Sequence, residues 1–211
     1  MKLYYSPLAC SMATRIALYE FGADAHYVEV DSKTKLTDEG SDLRTIHALG
    51  LVPVLVTDYG EVLTENAAIL QYVAEKYGNA DSSREGALSR AQLRQYLCFV
   101  GTELHKSLYM PLLDPKAPES AKAYALTKAQ SRLSWVADRL AGRDYLLSDF
   151  SVADAYLFTV LNWSSVVPVD LKPFVSLGAF MHRMRKRPSV ERAYADELKL
   201  YERQKSRAHG K

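Results

Sequence analysis

Two different patterns of apolar residues divide this sequence near residue 78. Before that point, short apolar runs typical of strands alternate with segments of helical period, and after it only the helical period remains. The first two predicted strands are joined through a helix, which makes them parallel strands with a right-handed crossover. The sequence therefore predicts a small α/β domain followed by an all-α domain.

The α/β part contains four predicted strands and three predicted helices. The strands are at 2–5, 27–30, 52–57 and 61–63, and the helices are at 11–21, 42–49 and 65–77. The last two strands are antiparallel because the turn between them is too short for a crossover. The order β-α-β-α-β-β-α is that of a thioredoxin-like domain, which we place at residues 1–78.

A change of composition marks the end of this domain. Residues 79–88 begin with polar residues without periodicity, which is typical of a linker. We expect an all-helical domain at 89–203 and a flexible tail at 204–211. Within the helical domain, Ser151 and Asp154 have the spacing of a capping box. The apolar run that follows them predicts a helix buried at the centre of the domain.

Charge and histidine content exclude several functional classes. The 27 basic and 25 acidic residues leave a formal net charge of +2, which provides no broad basic surface for nucleic acid. The five histidines fall in separate segments without the spacing of a metal site, so we expect no metal. No apolar run approaches the ~18 residues of a membrane span, and we expect no membrane partner.

Cysteine content indicates a cellular compartment. The two cysteines, Cys10 and Cys98, are far apart, and no secretory apolar region follows Met1. These features are typical of a cytoplasmic protein, in which a retained thiol is free, reactive or simply buried.

Cys10 stands at the start of the first predicted helix. The helix N-terminus stabilises a thiolate there, and Arg15, one turn on, adds positive charge. Disulfide oxidoreductases of this fold use Cys-x-x-Cys, but the fourth position here is Ala13. Two kinds of single-thiol chemistry remain: Cys10 pairs with an external thiol, or Cys10 and Ser11 donate hydrogen bonds to a bound thiolate. A buried structural cysteine is the alternative.

Two further signals accompany this thiol. Val52 precedes Pro53 just before the third strand, and a cis peptide there would leave the Val52 backbone able to pair with an extended peptide. At the start of the next helix, backbone N–H groups can hold a carboxylate while Glu65, beside Asn66, takes an ammonium. Together these features describe a site for a small peptide with an amine, carboxylates and a central thiol, and glutathione fits that description.

Several stretches of the sequence carry a resemblance to a known family. They are MKLYYSP with ACS after it, VDSKTK, LVPVL, VLTENAAILQYVAEKYG, TELHKS, FSVADAYLFTVLNW and FMHRMRKRPSV. Through these stretches, which occur in both predicted domains, the chain resembles the cytosolic glutathione transferases, and most closely the bacterial beta class. The resemblance implies the glutathione transferase fold, a homodimer, and conjugation of glutathione, as co-substrate, to small hydrophobic electrophiles in detoxification.

The resemblance also implies catalytic roles. Cys10 matches the beta-class cysteine that can form a mixed disulfide with glutathione, and Ser11 matches the hydroxyl near its sulfur. His105 matches a histidine that enters the site from the helical domain. Lys106 lies beside it, and Glu103 lies one residue from a position that contacts glutathione across the dimer.

The remaining implied residues bind glutathione in the first domain. Lys35 matches a residue at the glycyl end of the tripeptide. Val52 matches the backbone clamp that precedes a cis Pro53. Glu65 and Asn66 match the γ-glutamyl site.

Some positions depart from the beta-class pattern. Cys98 stands where an Asn reaches the partner subunit's glutathione, and residues 47–51 replace the usual Asn-Pro-Lys-Gly-Gln. Leu8 replaces a glycine, and residues 13–15 replace Ser-Pro-His. We expect weaker or altered affinity for glutathione.

Alternatives to conjugation stay open at this point. Glutathione-dependent thiol transfer or peroxide reduction through Cys10 is one, and a non-catalytic protein that binds glutathione or another ligand is the other. We expect the acceptor pocket near residues 104–112, including Tyr109, but its generic apolar residues name no electrophile. Tyr5, on an alternating strand, is expected to pack in the core.

Overall fold

The computed structural model describes residues 1–78 and 86–209. Within them the chain forms two compact units, one of residues 1–78 with 188–209 and one of residues 86–187. The predicted linker at 79–88 lies mostly outside the described residues, and its last two positions already belong to a helix. None of the described helices is long and apolar enough to cross a membrane.

The described part of the first unit contains a mixed four-stranded sheet. Its strands are β1 (Lys2–Tyr5), β2 (His26–Glu29), β3 (Val54–Val56) and β4 (Val62–Leu63). Their order across the sheet is β2-β1-β3-β4. β1 and β2 run parallel, and β3 is antiparallel to both β1 and β4. The predicted α/β fold class is confirmed, including the direction of every strand pair that was predicted.

Two helices of this unit position the candidate site. α1 (Met12–Glu20) follows β1, and α2 (Asn66–Tyr77) follows β4. Both begin one residue later than predicted, because Ser11 and Glu65 are the residues that flank the first helical turn. Residues 12–18 of α1 are buried, and α1 packs against α2. The first turn of α1 is therefore enclosed by the fold.

The predicted helix at 42–49 is wrong. The segment forms only a short 3₁₀ turn, Leu43–Thr45, which Asp42 caps by accepting a hydrogen bond from the Arg44 N–H at 2.8 Å. Leu43 is buried, but residues 44–49 are exposed or half-buried. A helix this short needs a buried apolar face to be stable, and the segment does not supply one.

The described part of the second unit is helical. Its elements are α3 (Ala87–Phe99), a π-helical segment (Val100–Tyr109), α4 (Met110–Leu113), α5 (Glu119–Leu140), α6 (Val152–Asn162) and α7 (Val175–Arg185), with a 3₁₀ turn (Trp163–Ser165) after α6. Every residue of α6 is buried, and Ser151 and Asp154 form the predicted capping box ahead of it. The predictions of an all-α region and of a buried central helix are confirmed.

The last helix, α8 (Pro188–His209), belongs to the first unit. The prediction placed 89–203 in one helical domain and 204–211 in a flexible tail, whereas the units divide at Pro188 and the helix continues to His209. α8 packs against α1. The reason is a buried stripe that recurs every three or four residues along α8 and is formed by Val190, Ala193 and Glu197.

Candidate active site

The candidate site lies at the edge of the sheet where β1 and β4 end and β3 begins. β1 and β4 run in the same direction because each is antiparallel to β3. The N-termini of α1 and α2 therefore lie at this edge, together with the Val52–Pro53 peptide ahead of β3, which is cis. Helix N-termini present unpaired N–H groups, so this edge favours a bound carboxylate or thiolate.

Cys10 lies in the turn that leads from β1 into α1. The Ala9 N–H donates to the Ser6 carbonyl at 3.1 Å, and the Met12 N–H donates to the Ala9 carbonyl at 3.0 Å. Cys10 is half-buried, and its thiol donates a hydrogen bond to the Val52 carbonyl at 3.3 Å. The turn therefore holds the sulfur between the start of α1 and the cis peptide.

Asn66, the first residue of α2, braces this turn. Its amide nitrogen donates to the Cys10 carbonyl at 3.0 Å, and its amide oxygen accepts a hydrogen bond from the Thr14 hydroxyl at 2.9 Å. Asn66 is only 5% exposed. Its side chain is therefore committed to joining α2 to α1, and its place at the helix N-terminus offers the backbone N–H to a ligand.

Glu65, immediately before α2, has a strained backbone. Its φ of +63° lies in a region that residues other than glycine rarely adopt. The Glu65 carbonyl accepts hydrogen bonds from the N–H groups of Ala68 and Ile69, which hold this conformation, and its side chain is exposed. Strain of this kind is concentrated at functional sites, where the surrounding structure maintains it. The exposed carboxylate stands next to the N–H groups of α2.

Ser11 differs from Cys10 in its surroundings. It is completely buried, and its hydroxyl donates to the Ser6 carbonyl at 3.2 Å while accepting a hydrogen bond from the Ser6 N–H, also at 3.2 Å. Both hydrogen bonds fasten the base of the turn. In this arrangement the accessible group of the pair is the Cys10 thiol.

Lys35 belongs to the same unit but not to the cluster around Cys10. Its backbone also has a positive φ, of +68°, and its carbonyl accepts a hydrogen bond from the Leu43 N–H at 2.9 Å. The Lys35 stem lies against Gly50, where an added Cβ would meet it at 3.3 Å. Leu49 and Leu51, at two of the positions that depart from the family pattern, are exposed. Lys35 therefore lies on a loop with an apolar rim.

His105 lies in the π-helical segment of the second unit. It is 4% exposed, its Nδ1 lies 2.7 Å from the Tyr156 hydroxyl, and the Trp163 ring is 5.0 Å away. Burial, with a contribution from the charge of Lys106, lowers the pKa of His105 to about 4. The imidazole is therefore neutral at pH 7, and its contact with Tyr156 is a hydrogen bond without a charged partner.

Other predicted residues of the second unit have different environments. Glu103 accepts a hydrogen bond from the Arg132 Nε at 3.0 Å, and Lys106 is exposed. Tyr109, which we predicted in an acceptor pocket, is completely buried. Its hydroxyl lies 2.6 Å from that of Ser164, and burial raises its pKa to about 12. Tyr109 is thus a core residue of this unit.

Comparison with known proteins adds to this geometry, because two protein-family models match the chain. They are the N-terminal domain of glutathione S-transferase, over residues 1–75, and the C-terminal domain, over residues 90–188. The chain belongs to the glutathione S-transferase family. It is 37% identical over 199 residues to glutathione S-transferase GstA of Escherichia coli O157:H7, an alignment that covers 93% of this chain and 98% of that protein.

Solved structures of glutathione S-transferases are similar over the same span. A sphingomonad glutathione S-transferase complexed with glutathione is 42% identical, with a TM-score of 0.86 and coverage of 93% of this chain and 98% of that one. The bacterial beta class glutathione S-transferase of Sphingomonas chungbukensis is 41% identical, with a TM-score of 0.86 and the same coverage. The predicted resemblance to the beta class is confirmed.

Sequence reasoning missed one part of this glutathione S-transferase, a buried ion pair behind the Cys10 turn. Glu197 is completely buried, and its Oε2 accepts a hydrogen bond from the Leu8 N–H at 2.7 Å. Its Oε1 lies 3.5 Å from the Nε of Arg15. The available signal was spacing: Glu197 follows Val190 and Ala193 on the buried stripe of α8, where an apolar residue is expected.

Proposed function

We propose that this chain is an enzyme that joins glutathione to small hydrophobic electrophiles. Membership of the family supports this, as does the 42% identical sphingomonad relative complexed with glutathione. The observation that carries the proposal is the half-buried Cys10 thiol at the start of α1, hydrogen-bonded to the Val52 carbonyl at 3.3 Å. A thiol in that position stands where a bound thiol peptide would pair with the Val52 backbone.

Glutathione, in this proposal, uses the edge of the sheet and its neighbouring loop. The γ-glutamyl carboxylate binds the N–H groups at the start of α2, where Asn66 begins the helix, and its ammonium pairs with Glu65. The cysteinyl backbone pairs with Val52 beside Pro53. The glycyl carboxylate pairs with Lys35. The sulfur of glutathione then lies beside Cys10.

Cys10 assists the reaction by stabilising the glutathione thiolate. Its S–H turns from the Val52 carbonyl to the glutathione sulfur, and the α1 N–H groups add positive potential. The glutathione thiol loses its proton to solvent, and the sulfur attacks the electrophilic carbon with a lone pair. The leaving group departs with the bonding electrons, so a thioether and an acid are the products. The roles of His105, Glu103 and Lys106, which lie in the second unit, stay predictions from the resemblance.

Conjugation of 1-chloro-2,4-dinitrobenzene tests the assignment. Cys10→Ala should lower kcat/KM by about tenfold or more, because removing one hydrogen-bond donor to a reacting anion slows enzymes by at least this factor. Cys98→Ser, at the exposed second cysteine, is the matched control and should behave like the parent protein. If Cys10→Ala turns over like the parent while a folded Ser11→Ala loses its activity, then Ser11 rather than Cys10 stabilises the glutathione thiolate. Retention of glutathione without turnover in the parent would contradict the proposed reaction.

Thiol transfer is a second candidate function, because the accessible group is a thiol rather than a hydroxyl. The Cys10 thiolate would attack glutathione disulfide, form a mixed disulfide and release one glutathione thiolate. A second glutathione must resolve it, since Ala13 occupies the position of a resolving cysteine. Reduction of hydroxyethyl disulfide that is abolished in Cys10→Ser would support this activity, and its survival there would exclude it.

We also propose the setting in which the enzyme works. A homodimer in the bacterial cytoplasm, acting in detoxification, fits the resemblance and the bacterial origin of its relatives. Sedimentation velocity on the purified protein tests the dimer. A single monomeric species at micromolar concentration would contradict it.

A further inference from the structure

Leu8 has a backbone conformation that needs support. Its φ is +59°, in the left-handed region that glycine adopts without a steric cost and leucine does not. Position 8 is one at which the chain departs from the glycine of the beta-class pattern. The hydrogen bond from the Leu8 N–H to Glu197, at 2.7 Å, restrains this conformation. Because Cys10 follows two residues later, the same bond restrains the turn that presents the thiol.

Arg15, at another departing position, is held in place on α1. Its guanidinium carbon lies 4.0 Å from the ring centroid of Tyr5 and 4.4 Å from that of Tyr27, and the residue is 3% exposed. These cation–π contacts leave the charged group facing Glu197 at 3.5 Å. Arg15 is therefore a fixed positive charge inside the unit.

The charge of Arg15 offsets part of the cost of burying a carboxyl at position 197. Burial raises the pKa of Glu197, and the negative charges of Asp196 and Glu29 act in the same direction. Arg15 and the Leu8 N–H lower it. Without Arg15, the buried carboxyl would lose its main source of stabilisation as an anion, and an anion is the stronger acceptor for an N–H group.

We propose that Arg15 and Glu197 act together as positioning residues for Cys10. Arg15 lies against Glu197 and offsets part of the cost of burying its carboxyl, and that carboxyl holds the Leu8 N–H at 2.7 Å, so that the turn keeps the sulfur at the N-terminus of α1. The pair touches neither substrate nor reacting atoms. Its consequence for catalysis rests on the proposed function of Cys10, but its effect on the thiol does not.

Alkylation of native Cys10 by iodoacetamide measures this effect. The experiment uses the full chain in a Cys98→Ser background, with the Cys10 peptide followed by mass spectrometry across a range of pH. The rate of alkylation rises with the fraction of Cys10 that is thiolate. The pH of half-maximal rate therefore reports how strongly the helix N-terminus stabilises that thiolate. Glu197→Ala and Arg15→Met should each raise that pH by about one unit, which slows alkylation at pH 7 about tenfold. Glu197→Gln keeps an acceptor for Leu8 without the charge and should give a smaller shift.

A double variant separates positioning from stability. Arg15→Met with Glu197→Met leaves no unpaired buried charge, so its Tm should recover toward that of the parent. This double variant still lacks the Glu197 acceptor for the Leu8 N–H, so the alkylation shift should persist. Ser189→Ala is the matched control, because it removes a 2.6 Å hydrogen bond to Glu20 between the same two helices, at the opposite end of α1 from Cys10. It should lower Tm without moving the alkylation profile.

Three results would overturn the proposal. They are a parent-like alkylation profile in both Glu197→Ala and Arg15→Met, a double variant that regains the parent profile, and a Ser189→Ala shift as large as that of Glu197→Ala. Iodoacetamide reacts without glutathione. An error in assigning glutathione to Cys10 would therefore appear in the conjugation assay and leave this experiment unaffected.

Discussion

Replacing Asn66 by alanine should detach the start of α2 from the Cys10 turn. The Asn66 amide donates to the Cys10 carbonyl at 3.0 Å and accepts from the Thr14 hydroxyl at 2.9 Å. Asn66 is 5% exposed and Thr14 is completely buried, so water has little access to the Thr14 hydroxyl that the substitution leaves behind. Both hydrogen bonds to Asn66 would be lost, while the Cys10 carbonyl keeps the one that it accepts from the Ala13 N–H at 3.1 Å.

The expected cost follows from these two bonds. A neutral hydrogen bond contributes about 1 kcal/mol, and a buried partner left unpaired adds a desolvation penalty, so Asn66→Ala should lower the free energy of unfolding by about 3 kcal/mol. Thr14→Val has nearly the same shape and removes only the second bond, which should cost about 1.5 kcal/mol. Because both substitutions break that bond, the double variant should lose about 1 kcal/mol less than the sum.

Urea unfolding followed by circular dichroism measures these differences, and alkylation of Cys10 reports on the turn. Asn66→Ala should shift the alkylation profile, and Thr14→Val, which leaves the bond to the Cys10 carbonyl in place, should shift it less. Strictly additive losses of stability, or an Asn66→Ala protein as stable as the parent, would refute this reasoning.

Other predictions concern acid stability, backbone strain and the helix cap. Burial lowers the pKa of His105 from 6.5 to about 4. The unfolded imidazole therefore binds its proton at a higher pH than the folded one, and stability should fall by up to about 3 kcal/mol as the pH drops from about 6.5 to 4. In His105→Asn, the urea concentration at the midpoint of unfolding should no longer fall in this way as the pH drops. Glu65→Gly should raise the free energy of unfolding by about 1 kcal/mol by relieving the positive φ, while retention on immobilised glutathione weakens; a loss of stability would contradict the strain. Asp154→Ala removes an acceptor for the N–H groups of Leu146 and Ser151, each at 2.9 Å, and thermal unfolding should show a cost of about 3 kcal/mol, larger than that of Ser151→Ala.

Local patterns were sufficient for much of the fold. The starts of α1 and α2 were predicted to within one residue, because cap positions and apolar periods are properties of neighbouring residues. Sheet topology then brings Cys10 and Val52 together, since strand ends of known direction meet at one edge. The helix expected at 42–49 failed for a local reason as well: Asp42 forms a turn with the N–H of Arg44, and the segment lacks a buried face.

Features that depend on packing were not predictable in the same way. The side-chain direction of Ser11 is one, because its hydroxyl bonds to Ser6 beneath the turn. Glu197 is another, because an acidic residue in a polar helix normally faces solvent, and contact with Arg15 and Leu8 offsets part of the cost of its burial. The membership of α8 in the first unit has the same origin, since its partner α1 is distant in sequence.

The most direct test of the account is the mass of the protein after exposure to glutathione disulfide. In a Cys98→Ser background, the parent and Ser11→Ala should each gain one glutathionyl group, released as free glutathione on reduction, and peptide mapping should place it on Cys10. Cys10→Ala should gain none. An adduct that persists in Cys10→Ala, or a parent protein that stays unmodified while it conjugates glutathione normally, would contradict the claim that the sulfur of glutathione is bound beside Cys10.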